Sequence, residues 1–128
     1  GAKILCGNKR EGALFSPTAV DHCKPDSAMV MDETFGPVAP IIRVKDVEEA
    51  CKIANSTEFG LQSGVVTNNL ENIKYCIKHL KVGAVNINEG PQHDMPNIPF
   101  GGVKQSGVGR EGIRYAMQEM TYIKCVVM

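Results

Sequence analysis

DVEEACKIANSTEFGLQSGVVTNNLENIKYCIKHLKVGAVNI, Asp46 to Ile87, decides the fold. Asp46 and Glu49 form D-x-x-E, a capping-box start. Val47, Ala50, Cys51 and Ala54 then recur at i, i+3, i+4, i+7 and predict an amphipathic helix. Ser63 to Thr67 reads as a strand. Asn68 and Glu71 stand as cap and N3 residue of a second helix, with Leu70, Ile73, Ile77 and Leu80 as its buried face and Cys76 beside them. Gly83 to Ile87 is the next strand. Crossover helices of this length predict an α/β chain, part of an open, mainly parallel sheet.

Working outward, Ala2 to Gly7 reads as a short strand, and Asn8 to Gly12, polar and bounded by glycine, as a turn. Phe15 to Asp21 is a second short strand, and Lys24-Pro25-Asp26-Ser27 is turn chemistry. Val38 to Lys45 is apolar and β-branched, a strand with Pro40 near its beginning. After Ile87 a loop rich in proline and glycine runs from about residue 88 to 110. Loops of that length tend to be functional, and this one leaves from a strand's carboxyl end, where open α/β sheets place ligands. Ile113, Ala116, Met117 and Met120 mark a last helix, and Tyr122 to Met128 a terminal strand.

Composition narrows the function classes. Lys plus Arg and Asp plus Glu are 14 each, so no basic field exists to draw nucleic acid or an anionic membrane. No apolar run approaches a membrane span, and no secretory leader is visible. Hydrophobic residues at 43% are enough for a core, so wholesale disorder is not expected. The five cysteines (Cys6, Cys23, Cys51, Cys76, Cys125) are scattered, without a C-x-x-C pair or a His/Cys ligand cluster. That argues against a metal site and suits a cytoplasmic protein. His22, His79 and His93 are scattered too, and read as surface or locally satisfied residues.

Gly107, Gly109 and Gly112 spell G-x-G-x-x-G inside PFGGVKQSGVGREG, Pro99 to Gly112. A dinucleotide turn needs a buried strand before the first glycine and a second strand with an acidic residue about 20 positions on. Neither is present, and no Gly-Lys-Ser/Thr marks a Walker loop. These glycines read instead as positions of positive φ and close backbone approach. ETFGP, Glu33 to Pro37, is a second candidate. Pro37 disfavours the helical region at Gly36, and in an extended segment Glu33 and Phe35 face the same side. A carboxylate accepts two hydrogen bonds from a ribose diol, and an aromatic ring covers a flat heterocycle, which suits the nicotinamide half of NAD or NADP. A surface glutamate beside a core phenylalanine is the other reading, and spacing alone favours it.

Taken together, ETFGPVAP at 33–40, VGAVNINEG at 82–90 and PFGGVKQSGVGREG at 99–112 resemble the aldehyde dehydrogenase superfamily, with NEG at 88–90 and GGVKQSG at 101–107 similar to its succinate-semialdehyde and lactaldehyde members. The resemblance implies residues 1–120 as the C-terminal portion of the catalytic domain and 121–128 as an oligomerisation strand, giving a homodimer or homotetramer. It implies oxidation of a small aldehyde to a carboxylic acid with NAD or NADP. The cysteine nucleophile, the general base and the nucleotide-binding domain would lie upstream, in the missing N-terminal part of the same enzyme. Cys51 and Cys76, outside any nucleophile motif, are small core residues. By resemblance Glu33 grips the nicotinamide ribose, Phe35 packs near the nicotinamide, Phe100 walls the aldehyde pocket and Glu111 relays protons to the base, while Arg110 ties the loop to the fold. His93 and Asp94 lie where substrate contacts vary and would bind a hydroxylated substrate or stay solvated. No arginine between 88 and 98 would hold an anionic substrate. A non-catalytic binding module and an oligomerisation piece remain the competing readings.

Overall fold

The computed structural model describes residues 1–92 and 95–128. The chain divides into two compact units, Gly1–Ile53 and Ala54–Met128. It is a mixed α/β fold with parallel strands.

In the first unit, β4 (Thr18–Asp21) is the central strand of three. It pairs antiparallel with β1 (Lys3–Cys6) and parallel with β5 (Val38–Pro40), Thr18 opposite Val38 and Val20 opposite Pro40. The strand expected over Phe15 to Asp21 is in fact two. β3 (Leu14–Phe15) folds back on β2 (Arg10–Glu11) as a hairpin, so the turn expected over Asn8 to Gly12 is partly strand. Pro17 has no N–H to carry a ladder through the break. Ladder bonds resume at Thr18, whose N–H donates to the Pro37 carbonyl at 2.8 Å. β5 also stops at Pro40, short of the expected Lys45. Between β4 and β5 lies the four-residue α1 (Ala28–Met31).

α2 (Val47–Ala54) begins as expected. The Asp46 carboxylate accepts the Glu49 N–H at 2.8 Å, and the Glu49 carboxylate accepts the Lys45 N–H at 2.8 Å. The first bond satisfies one orphan donor of the first turn, and the second ties the residue before the cap back to the helix.

In the second unit, β6 (Gln62–Val65) and β7 (Ala84–Ile87) pair parallel from Gln62 opposite Ala84 to Val65 opposite Ile87. α3 (Leu70–His79) makes the crossover. Its cap is Asn69, not the expected Asn68: the Asn69 side chain accepts from the N–H groups of Glu71 and Asn72 at 2.9 and 3.2 Å. Cys76 is buried, whereas Leu70 and Ile77, expected on the same face, are 60% and 58% exposed. His79 stacks on Tyr75 with ring centroids 3.9 Å apart and is locally satisfied, as expected.

Of the strands expected in one open, mainly parallel sheet, β6 and β7 pair parallel, whereas β5 pairs parallel with β4 in a separate sheet; β1·β4 and β2·β3 are antiparallel. After β7 the chain makes one 3-10 turn, Lys104–Ser106, then α4 (Ile113–Glu119). Residues 121–128, expected as a strand, form no regular element here. A strand is defined by its ladder bonds, and none is made to this segment among the described residues.

Few apolar side chains are deeply covered. Val20, Cys23, Cys51 and Cys76 are the buried ones, while Phe35, Val66, Val108, Ile123 and Val127 stand more than four-fifths exposed.

Candidate functional site

The loop after β7 is built by its backbone. Phe100 and Glu111 form an antiparallel bridge, Phe100 N–H to Glu111 carbonyl at 3.1 Å and Glu111 N–H to Phe100 carbonyl at 2.6 Å. The segment between them is thus a closed ring whose ends are the two residues expected to wall the aldehyde pocket and to relay protons. The Arg110 guanidinium crosses the ring, its Nη1 donating to the carbonyls of Gly102 at 2.9 Å and Gly109 at 2.6 Å. The Arg110 N–H donates to the Glu119 carboxylate of α4 at 3.0 Å.

The glycines answer to this geometry. Gly109 has φ +82°, and a Cβ there would stand 2.8 Å from the Glu119 carboxylate. Gly112 has φ +110° as the N-cap of α4, a conformation that side chains rarely adopt. No strand precedes Gly107, so the G-x-G-x-x-G spacing serves the loop's turns, as the sequence reading holds.

Phe100, Arg110, Glu111, Val108, Glu119 and Met120 border a cleft of about 530 Å³, the size of a small-molecule site. Phe100 is half-buried, and the Glu111 side chain is exposed. His93 and Asp94 lie outside the described residues.

Glu33 and Phe35 belong to the first unit, in the irregular segment between α1 and β5. Phe35 is 92% exposed, so the reading of a core phenylalanine does not hold in this chain. Neither residue has a hydrogen bond, ion pair or ring contact among the described residues. A free carboxylate and a free ring at i and i+2 offer a hydrogen-bond acceptor suited to a ribose diol and a face suited to a flat heterocycle. Among the described residues, no group of three or more His, Cys, Asp or Glu could hold a metal ion. No helix among them is long and apolar enough to cross a membrane.

A strongly perturbed acid among the described residues escaped the sequence reading. Asp21 on β4 is buried, yet it accepts from Arg43 Nε and Nη2 at 2.9 and 2.7 Å and from the His22 N–H at 2.8 Å. The Arg43 hydrogen bond is the chief cause that holds its pKa down at about 2, against the opposing pull of burial. The reciprocal contact raises the pKa of Arg43. An isolated Asp gives no sequence signal of this pairing. Its effect is to hold the β4 end and the segment after β5 together.

The model of the aldehyde dehydrogenase family matches residues 1–126 of this chain. A sulfoacetaldehyde dehydrogenase of Neptuniibacter caesariensis is 45% identical over 128 residues, all of this chain and 28% of that protein. A lactaldehyde dehydrogenase of Methanocaldococcus jannaschii is 46% identical over 128 residues, again all of this chain and 27% of that protein. The crystal structure of a glyceraldehyde-3-phosphate dehydrogenase from Methanocaldococcus jannaschii, complexed with NADP, matches with a TM-score of 0.90 at 48% identity, over 97% of this chain and 27% of that one. The chain therefore spans roughly a quarter of the length of these relatives.

Proposed function

The chain belongs to the aldehyde dehydrogenase family, and on that premise we propose that it is the C-terminal part of a longer enzyme that oxidises an aldehyde to a carboxylic acid with NAD or NADP. The observation that carries this reading is the bridged loop, which fixes Phe100 and Glu111 opposite one another at the rim of one cleft. The exposure of so many large apolar side chains supports the fragment reading, because further chain would cover them.

In this reading a cysteine thiolate from the upstream part attacks the aldehyde carbon to give a thiohemiacetal. A bound nicotinamide would supply the hydride acceptor for the oxidation, and water activated by the upstream base would then release the acid from the thioester. This chain's residues orient and relay. Glu33 accepts hydrogen bonds from the nicotinamide ribose hydroxyls, and Phe35 packs beside the ring. Phe100 forms an apolar wall of the aldehyde pocket and excludes water from one side. Glu111, exposed at the cleft, passes a proton between solvent and the upstream base. Arg110 keeps Glu111 in place through the loop carbonyls.

In the assembled enzyme residues 121–128 would pair as a strand with another subunit, Ile123, Cys125 and Val127 alternating with Tyr122, Lys124 and Val126. An exposed alternating edge of this kind pairs readily with another chain, giving a homodimer or homotetramer. The five free cysteines favour a cytoplasmic setting. The relatives' names span lactaldehyde, sulfoacetaldehyde and glyceraldehyde-3-phosphate, so the test is a panel of these aldehydes with NAD and with NADP on the complete reading frame. Aldehyde-dependent formation of reduced cofactor is expected there, and none from the 128-residue chain alone. A complete protein that binds aldehyde or cofactor without turnover would favour the non-catalytic alternative.

A further inference from the structure

The glycine-rich loop is tethered at its middle by Lys104. Lys104 sits at φ +57°, a conformation that non-glycine residues seldom take. Its ammonium donates to the Thr57 carbonyl at 2.7 Å and to the Asn55 carbonyl at 3.3 Å. Its stem lies close against Gly60, where a Cβ would stand 3.1 Å from Lys104 Cε and 2.9 Å from Val103 Cγ2. On either side the backbone docks on the same segment. Val103 N–H donates to the Gly60 carbonyl at 3.0 Å, Gln105 N–H to the Glu58 carbonyl at 2.9 Å, and Gly60 N–H to Ser106 Oγ at 2.8 Å.

We propose that Lys104 is a positioning residue, which fixes Phe100 and Glu111 by pinning the middle of the ring that their backbone bridge closes. A long lysine side chain loses much conformational freedom when ordered, and a strained φ persists only where its surroundings over-determine it. Both occur at one residue, at the centre of the docked stretch 103–106. The ring is closed at 100 and 111, so a shift of its middle is transmitted to both ends together. Among the described residues the Lys104 side chain hydrogen-bonds to Asn55 and Thr57 and lies against Gly60, so it acts through geometry and not by touching substrate.

The inference rests on the roles proposed for Phe100 and Glu111, and its test separates the two. In the complete enzyme, Lys104→Met keeps the stem and loses the donor, Lys104→Arg keeps a donor, and Lys104→Gly removes both the strain and the tether. Lys104→Met and Lys104→Gly are expected to lower kcat/KM for the aldehyde by roughly ten- to a hundredfold per active site, the scale of a small misplacement at a reacting centre, with KM for the cofactor held within about twofold. Lys104→Arg is expected to recover most of the loss. A fall in active enzyme with kcat/KM per active site unchanged would reduce Lys104 to a purely structural role and overturn the proposal. A Lys104→Gly enzyme that behaves as wild type would overturn it as well. Hydrogen exchange at the Phe100 and Glu111 amides provides a readout that needs no substrate. Faster exchange in Lys104→Met supports the tether even if the wild type oxidises no aldehyde, and unchanged exchange refutes it.

Discussion

Replacing Arg110 by methionine should loosen the candidate site by an amount that the bonds allow us to work out. The guanidinium donates to two loop carbonyls, Gly102 at 2.9 Å and Gly109 at 2.6 Å. Gly102 is buried, so its carbonyl finds no water when the donor is lost; Gly109 is half-buried and recovers part of its hydration. A hydrogen bond to a charged group contributes about 1.5–3 kcal/mol. Counting the Gly102 bond in full and the Gly109 bond as a minor addition gives about 2–3 kcal/mol. If the loss falls on local opening of the ring, the Phe100 and Glu111 amides should exchange roughly 30- to 140-fold faster, at about 1.4 kcal/mol per tenfold. The assay is native-state hydrogen exchange resolved at those amides. Arg114→Met serves as the control, since Arg114 is exposed on α4 and its side chain makes no hydrogen bond or ion pair among the described residues. Exchange that is unchanged in Arg110→Met, or equally fast in Arg114→Met, would refute the reasoning.

Further outcomes follow from single contacts. Asn69→Ala removes the cap of α3 and should cost about 1 kcal/mol, read as a lower denaturation midpoint with an unchanged slope; Asn68→Ala should cost far less. Asp21, with its pKa depressed from 3.8 to about 2, contributes stability that is complete above the ordinary carboxylate range and is lost as pH falls through about 2. Arg43→Gln should shift that loss to higher pH, and an NMR titration in which Asp21 still titrates near 2 in the variant would contradict the assigned cause.

The helices α2 and α3 were legible because their signals are local and redundant. Asp46 with Glu49, then the apolar stripe from Val47, specify α2 without help from the rest of the chain. The cap of α3 slipped by one residue because Asn68 and Asn69 are chemically the same. What separates them is the turn before, where Asn69 N–H donates to Thr67 Oγ1 at 3.1 Å and Thr67 N–H to the Asn88 side chain at 2.9 Å. Those partners are distant in sequence or depend on the fold. The two-residue strands β2 and β3 are too short for any period to register. Leu70 and Ile77 fit the apolar stripe but stay exposed, because periodicity reports a face that can be covered and not what covers it. At the site, the motifs pointed to Phe100 and Glu111, but not to their backbone bridge. Neither the Asp21–Arg43 pair nor the reach of Lys104 to Thr57 has a spacing that a sequence pattern could carry.

The most direct measurement of the central claim is single-turnover hydride transfer in the complete enzyme, comparing wild type with Glu33→Gln at saturating aldehyde and cofactor. The account predicts reduced cofactor forming in the wild type, and forming roughly tenfold or more slowly in Glu33→Gln, as expected for a lost charge-assisted hydrogen bond of about 1.5 kcal/mol or more. An identical rate and an identical cofactor affinity in the two proteins would contradict the assignment of Glu33 to the nicotinamide ribose, and with it the nicotinamide half of the proposed site.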